Sequence, residues 1–274
     1  MTKGMIFDIK RFAIHDGKGI RTTIFFKGCP LKCLWCHNPE GFSIKKQLSY
    51  QSQSCFQCGN CIDNCPMKSI EFKNNEINIL ANCDSCGSCI EYCPSDALKL
   101  IGRCISVSEL LDEIEKDRVF YSTSDGGITI SGGEPFFQID FLLAVLQACK
   151  KVGLQTAVET SFYCDYQDVE KVIPYVDQFI IDIKLFDEKM HEHYTGKTNK
   201  EILDNIRKLA NTKTNILLRT PLIPKITDTK ENLCSIRKFI RSLSREIEHE
   251  LLDYNFLAPA KYAMLQKEYK LEKL

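Results

Sequence analysis

Short runs of β-branched and aliphatic residues alternate along the chain with stretches in which apolar positions recur every three to four residues. The runs at residues 22–26, 128–131, 155–159, 178–184, 215–220 and 250–256 have the length and composition of buried strands. Helical patterns fall at residues 107–116, with Ser106 as a cap, and at 139–152, 168–175, 200–210 and 229–243. Strand and helix in alternation predict an α/β fold with a parallel sheet, built of six units as an open sheet or an incomplete barrel. In either form a reacting ligand lies at the carboxyl ends of the strands. Polar motifs collect there: Gly132-Gly133-Glu134 after the second run, Glu159-Thr160 after the third, Asp182 and Lys184 at the end of the fourth.

Between the first run and the first helix the pattern breaks, and a repeat takes its place. C-x2-C-x2-C-x3-C-P occurs once on Cys55, Cys58, Cys61, Cys65 and Pro66, and again on Cys83, Cys86, Cys89, Cys93 and Pro94. Each half runs on into a short apolar stretch, at residues 70–72 and 97–100. Residues 48–103 therefore read as a small two-fold module held together by metal, inserted between residues 1–47 and 104–274 of the main fold.

Composition sharpens this in one respect only. The 274 residues, 44% hydrophobic, are enough for a real core, and 36 basic against 36 acidic residues give no sign of a nucleic-acid surface. No run approaches the ~18 apolar residues of a membrane span, and the first eleven residues lack the apolar core of a secretory signal, so a cytoplasmic protein is expected. Fifteen cysteines are the abnormal number, and in a reducing compartment such thiols are metal ligands more often than disulfides. Eleven lie between Cys29 and Cys93; Cys104, Cys149, Cys164 and Cys234 are scattered and read as small buried hydrophobes.

The repeated run is the bacterial two-cluster ferredoxin pattern, in which the fourth cysteine serves the other cluster. It predicts one [4Fe–4S] cluster on Cys55, Cys58, Cys61 and Cys93 and another on Cys65, Cys83, Cys86 and Cys89. Zinc is the competing reading, but zinc sites use two ligand pairs with a longer gap between them. The remaining group, Cys29, Cys33 and Cys36, is C-x3-C-x2-C: three ligands where a cubane has four irons. One iron is left open, and an open metal position is where a substrate or cofactor binds directly.

That motif, followed a hundred residues later by Ser131-Gly132-Gly133-Glu134-Pro135, resembles the radical S-adenosylmethionine (SAM) superfamily. The resemblance implies a partial (β/α)6 radical SAM barrel in which the open iron chelates the methionine end of SAM. One-electron cleavage of SAM there gives a 5′-deoxyadenosyl radical that abstracts hydrogen from a target. The glycines let backbone approach a ligand closely, Glu134 or the backbone can accept from a cationic amino group, and Asp182 and Lys184, two apart on a strand, share a face; the plainer readings are a Gly-Gly turn and a structural ion pair.

Longer stretches resemble one family within it, the activating enzymes of glycyl radical enzymes that carry a two-cluster insert. They are Asp16-Gly17-Lys18-Gly19-Ile20-Arg21, residues 22–40, residues 125–135, Asp182 to Lys184, Asp187, His191, Tyr194-Thr195-Gly196, Asn199 and residues 219–224. The resemblance implies an anaerobic oxidoreductase whose substrate is a backbone glycine of a partner glycyl radical enzyme, with a flavodoxin or ferredoxin-type electron donor. It implies a monomer with three [4Fe–4S] clusters; SAM contacts at Trp35, Cys36, His37, Gly132, Gly133, Glu134, Asp182, Ile183, Lys184 and Asn255; and a monovalent cation at Glu159, Thr160 and Asp182. A radical SAM enzyme acting on a small molecule and a ferredoxin-like electron carrier are the alternatives. The chain departs from the family pattern at Lys18, usually proline, at Phe162, Lys225, Ala258 and Gln266, usually glycine, and at Asn255, usually histidine.

Overall fold

The computed structural model describes residues 2–271; Met1 and residues 272–274, which belong to the expected barrel segments, lie outside the described residues. The strands are β1 (Lys3–Ala13), β2 (Arg21–Phe26), β3 (Gln47–Tyr50), β4 (Ile70–Lys73), β5 (Glu76–Ile79), β6 (Leu98–Ile101), β7 (Arg103–Ser106), β8 (Gly127–Gly132), β9 (Thr156–Thr160), β10 (Gln178–Asp182), β11 (Asn215–Leu222) and β12 (Glu248–Asp253). The helices are α1 (Asn60–Asp63), α2 (Ser88–Glu91), α3 (Val107–Glu115), α4 (Arg118–Ser124), α5 (Ile139–Lys151), α6 (Tyr166–Val172), α7 (Glu188–Thr195), α8 (Lys200–Ala210), α9 (Lys230–Arg241) and α10 (Ala258–Met264).

Among the described residues the main sheet has eight strands in the order β12-β11-β10-β9-β8-β2-β1-β7. Six of them, β2 and β8 to β12, run parallel in register, as in Phe26 opposite Gly132 and Asp182 opposite Arg219. These are the six expected strands. β12 ends at Asp253, three residues short of the expected end, and β1 and β7, which extend the sheet antiparallel beyond β2, have no counterpart in the sequence reading.

Period-two alternation divides the sheet into two faces. Ile24, Phe26, Ile128, Ile130, Val158, Phe179, Ile181 and Leu218 pack outward against the helices, on residues such as Leu110, Phe141, Leu146, Ile206 and Phe239. The intervening positions face inward, where Ala157, Ile180 and Leu217 form a separate small cluster and Arg21, Thr23, Thr129, Glu159, Asp182 and Arg219 bring polar groups. Helix starts follow local chemistry: Ser106 makes a capping box with Glu109, and Asp165, Asp187 and Thr229 cap α6, α7 and α9. Asp165 is why α6 begins two residues earlier than its apolar pattern.

The cysteine-rich segment is closed by β3 pairing with β6, and carries the β4–β5 hairpin. Its internal repeat is also a backbone repeat. Gln57, Gly59 and Lys68 have positive φ, and so do Ser85, Gly87 and Asp96 at the equivalent places in the second half. Of the scattered cysteines, Cys149 is buried as expected, whereas Cys104 and Cys234 are exposed, because they lie on the outer positions of β7 and α9.

Candidate functional site

The loop bearing Cys29, Cys33 and Cys36 leaves β2 through Lys27 and Gly28. Gly28 has φ +94°, and its N–H donates to the Gly41 carbonyl at 2.8 Å. The loop docks on the end of α7, where the Thr195 and Tyr194 carbonyls accept from the N–H groups of Lys32 (2.7 Å) and Leu34 (3.0 Å). Trp35, almost fully buried, lies against Tyr194 with ring centres 5.9 Å apart. Burial pushes the Cys29 and Cys33 thiols above their ordinary range and Cys36 up to about 12.

A cleft of about 310 Å³ opens over this loop. Its floor holds Cys29, Cys33, Cys36, Trp35 and His37. Its walls are the carboxyl ends of strands: Ser131 to Gly133 from β8, Glu159 and Thr160 from β9, Asp182 at the end of β10 and Lys184 just past it, Ile223 after β11, and Leu252 to Asn255 at the end of β12 and beyond. Eight of the ten expected cofactor positions thus come together in one place.

The other two do not face it. Ile183 shares the parity of Phe179 and Ile181 and packs into the helix layer, its N–H on the Arg219 carbonyl and its own carbonyl accepting from Thr220. Glu134 is fully buried, and its carboxylate accepts from Thr160 Oγ1 (2.6 Å) and from the Ser161 hydroxyl (2.5 Å) and N–H (2.9 Å). Burial raises its pKa while those donors oppose the rise. Its carboxylate braces β9 rather than entering the cleft. The glycines before it also differ in role: a Cβ on Gly132 would stand 2.3 Å from Phe26 N, and one on Gly133 2.4 Å from the Gly28 carbonyl. They permit backbone against backbone, which seats the cysteine loop.

Charges in the cleft are paired. Lys184 Nζ lies 2.6 Å from Asp182 Oδ2. Arg219, which the sequence reading carried only within a motif, donates to Glu159 at 3.1 Å and to Glu250 at 2.7 Å. Glu159 also accepts from Ser131 Oγ at 2.6 Å, and burial raises its pKa, with Asp182 and Asp16 adding to the effect. Glu159, Thr160 and Asp182 are therefore neighbours, but each already engages protein partners. Among the described residues the three thiols, by contrast, have no hydrogen bond to a cation, and His37 Nε2 and Glu40 Oε2 are buried without a hydrogen-bond partner. Three soft donors and an unpartnered imidazole nitrogen beside a zwitterion-sized charge pair fit a metal centre that carries an amino-acid-bearing cofactor.

The sequence missed the lid of this site. α10 and its flanks lie over the cysteine loop: Tyr262 packs with Cys33, Cys36 and Phe42, and Lys261 Nζ reaches Glu40 (2.8 Å) and Asn38 (2.9 Å). Asn255 borders the cleft beside His37, its Oδ1 accepting from the Leu257 N–H.

In the inserted segment the cysteines fall into two sets. Cys55, Cys58, Cys61 and Cys93 line one small concavity, and Cys65, Cys83, Cys86 and Cys89 another. No three acidic, histidine or cysteine side chains among the described residues converge as ligands of a single metal ion. A cubane asks for something else, because each thiolate takes a different iron.

The radical SAM superfamily pattern matches residues 91–235 and a 4Fe-4S dicluster domain matches residues 47–94. Over 98% of its length the chain is 41% identical to the (2S)-3-sulfopropanediol dehydratase activating enzyme of Klebsiella oxytoca, covering 87% of that protein. It is 42% identical to the trans-4-hydroxy-L-proline dehydratase activating enzyme of Clostridioides difficile, covering 98% of this chain and 90% of that one. Among solved structures, Streptococcus suis SuiB bound to its precursor peptide matches 88% of this chain and 40% of its own at a TM-score of 0.51 and 13% identity, a likeness of fold alone. A partial barrel with an inserted dicluster module, and relatives of this similarity along nearly the whole chain, place the protein in the radical SAM superfamily, among the activating enzymes of glycyl radical enzymes.

Proposed function

We propose that this chain activates a partner glycyl radical enzyme by abstracting hydrogen from one of its backbone glycines, using SAM and three [4Fe–4S] clusters. The observation that carries the proposal is the junction, in one cleft, of three thiols without a fourth partner and the Asp182–Lys184 pair. Cys29, Cys33 and Cys36 would hold three irons of one cubane. Asp182, Lys184, His37, Asn255 and the backbone at Gly132 and Gly133 would hold SAM. When bound, cluster and SAM together supply one-electron cleavage of the sulfonium, whose carbon radical takes the glycine hydrogen.

The chain's own residues set the conditions. Leu31, Trp35, Ile223 and Tyr262 keep the thiol end apolar, so water is excluded where a reactive carbon would otherwise be quenched. Lys184 offers a cation and Asp182 an anion to the two ends of an amino acid. Arg219 holds Glu159 at the cleft wall, where the expected monovalent cation would have to share that carboxylate. Cys55, Cys58, Cys61 and Cys93, and Cys65, Cys83, Cys86 and Cys89, would hold the other two clusters, with a flavodoxin or ferredoxin-type protein as electron source.

The test is anaerobic reconstitution followed by iron analysis and turnover with a chemical reductant. About twelve irons per chain, 5′-deoxyadenosine, and a glycyl radical in the partner's paramagnetic resonance spectrum are expected. Cys33→Ala should leave about eight irons and form no 5′-deoxyadenosine. A wild-type protein that holds four or fewer irons, or that cleaves SAM with every candidate partner left without radical, contradicts the proposal.

A further inference from the structure

Residue 266 has a left-handed backbone, φ +53°, a conformation that strains an L residue and that glycine adopts freely. The glutamine there is used. Its Oε1 accepts from the Ile79 N–H at 2.8 Å and its Nε2 donates to the Ile77 carbonyl, so the side chain pairs with the open edge of β5 as another strand would. Five and four residues earlier, Lys261 bonds Glu40 and Asn38 just past the Cys29–Cys36 loop, and Tyr262 shares a buried cluster with Cys33 and Cys36. One short span therefore holds the cap of the SAM site on one side and the inserted segment on the other. A second tie lies nearby: Lys27, fully buried, donates to the Glu40 carbonyl (2.5 Å) and to Gln47 of β3 (3.2 Å).

The two cysteine concavities differ in how they meet this span. Ile77, the residue that Gln266 holds, lines the concavity of Cys55, Cys58, Cys61 and Cys93, and so does Tyr50. Both also line the groove of about 540 Å³ that separates the inserted segment from α10. No residue of the Cys65, Cys83, Cys86 and Cys89 concavity borders that groove.

We propose that Gln266 is a positioning residue: it locks the insert against the cap so that the centre on Cys55, Cys58, Cys61 and Cys93, rather than its twin, exchanges an electron with the centre on Cys29, Cys33 and Cys36. The proposal rests on the three-cluster reading above. One electron leaves the first centre and reduces the second by one; it is replaced from a one-electron donor, a flavodoxin-type protein or dithionite, and no bond or proton moves.

The experiment reads magnetic relaxation, not turnover. Anaerobic holoprotein is reduced with dithionite, the resonance that shifts on adding SAM is identified, and its microwave power saturation is measured. In the wild type a neighbouring reduced centre speeds its relaxation. Gln266→Gly, which removes both hydrogen bonds and relaxes the backbone, should keep the full iron content yet saturate at lower power. Gln266→Glu, which still accepts from Ile79, should fall between the two. Cys58→Ala should abolish the enhancement and Cys86→Ala should retain it; if either cysteine variant does not fold, the Gln266 pair still decides. Wild-type saturation in Gln266→Gly, or loss of the enhancement in Cys86→Ala alone, overturns the proposal. Absence of any SAM-responsive resonance in the wild type overturns the radical SAM reading itself, a different result from either.

Discussion

Asp182, the last residue of β10, and Lys184, two residues on, stand 2.6 Å apart, carboxylate to ammonium, on the inward side of the sheet. Burial disfavours the Lys184 charge, yet Asp182 and the Cys33 thiol more than offset it and hold its pKa above the ordinary lysine range. The ion pair is already formed, and largely buried, before any ligand arrives. Under the proposed SAM binding, an amino acid would trade one close contact for two, its amine toward Asp182 and its carboxylate toward Lys184, with little reorganisation.

Lys184→Met leaves Asp182 without its cation and removes one of the two anchors. SAM affinity is expected to fall at least tenfold, about 1.4 kcal/mol, in anaerobic equilibrium dialysis. An unchanged dissociation constant would show that SAM does not bind between these residues.

Gly133→Ala drives a methyl group into the Gly28 and Gly41 carbonyls, at 2.4 and 2.6 Å. Both belong to the backbone that flanks the cysteine loop, so relief requires the loop to move. The expected result is loss of about four irons with the insert's clusters retained, read by iron analysis and by the surviving resonances.

Phe162 and Lys225 both have φ of +62° where the family pattern has glycine. Glycine at 225, an exposed site, removes about 1–2 kcal/mol of backbone strain and gives back about 0.4–1 kcal/mol in unfolded-chain entropy. Lys225→Gly is therefore expected to raise the melting temperature slightly. Phe162 is fully buried against Phe136 and Phe179, and deleting such a ring costs about 3–5 kcal/mol. Phe162→Gly should destabilise strongly, although the strain relieved is the same. Opposite signs in thermal denaturation check the argument.

His191 is buried, and desolvation lowers its pKa below the ordinary 6.5, with Lys184 adding to the effect although its bond to the Lys197 carbonyl opposes it. Above that pH both folded and unfolded imidazoles are neutral and the contribution to stability is complete. As pH falls below it the unfolded chain takes up a proton that the fold refuses, so stability drops at up to about 1.4 kcal/mol per pH unit until the folded value is passed. His37 and His249 shift in the same direction, so the comparison is with His191→Gln. Its denaturation midpoint should vary less between pH 7 and 5 than that of the wild type; parallel curves would contradict the assignment.

What was legible in the sequence was whatever rests on period and spacing. Buried strands of four to eight apolar residues declare themselves, and the cysteine intervals set apart the repeated segment and the Cys29–Cys36 loop. β1 escaped because it is half exposed and studded with Asp8, Lys10 and Arg11, which mask its alternation. At the other end alternation misled: Phe256 continues the apolar rhythm of β12 but is 78% exposed and outside the strand. Glu134 and Ile183 were expected at the cleft from the motifs that carry them; Ile183 stands one step from Asp182, where strand parity reverses the face, and Glu134 turns its carboxylate to Thr160 and Ser161. The cap over the cysteine loop had no sequence signal, because Lys261 and Gln266 act through a few long-range polar contacts that no spacing reveals.

Among the described residues the main sheet runs from β12 to β7, and those two strands do not join. A closed ring of strands would admit only what fits through its mouth, end first. A folded partner cannot offer its glycine that way, since the glycine lies within a chain fixed at both sides. An unclosed sheet has a slot along its flank, through which a loop can enter sideways with both of its stems outside. The incomplete barrel thus makes a macromolecular substrate sterically possible while the reactive end of the cleft stays deep.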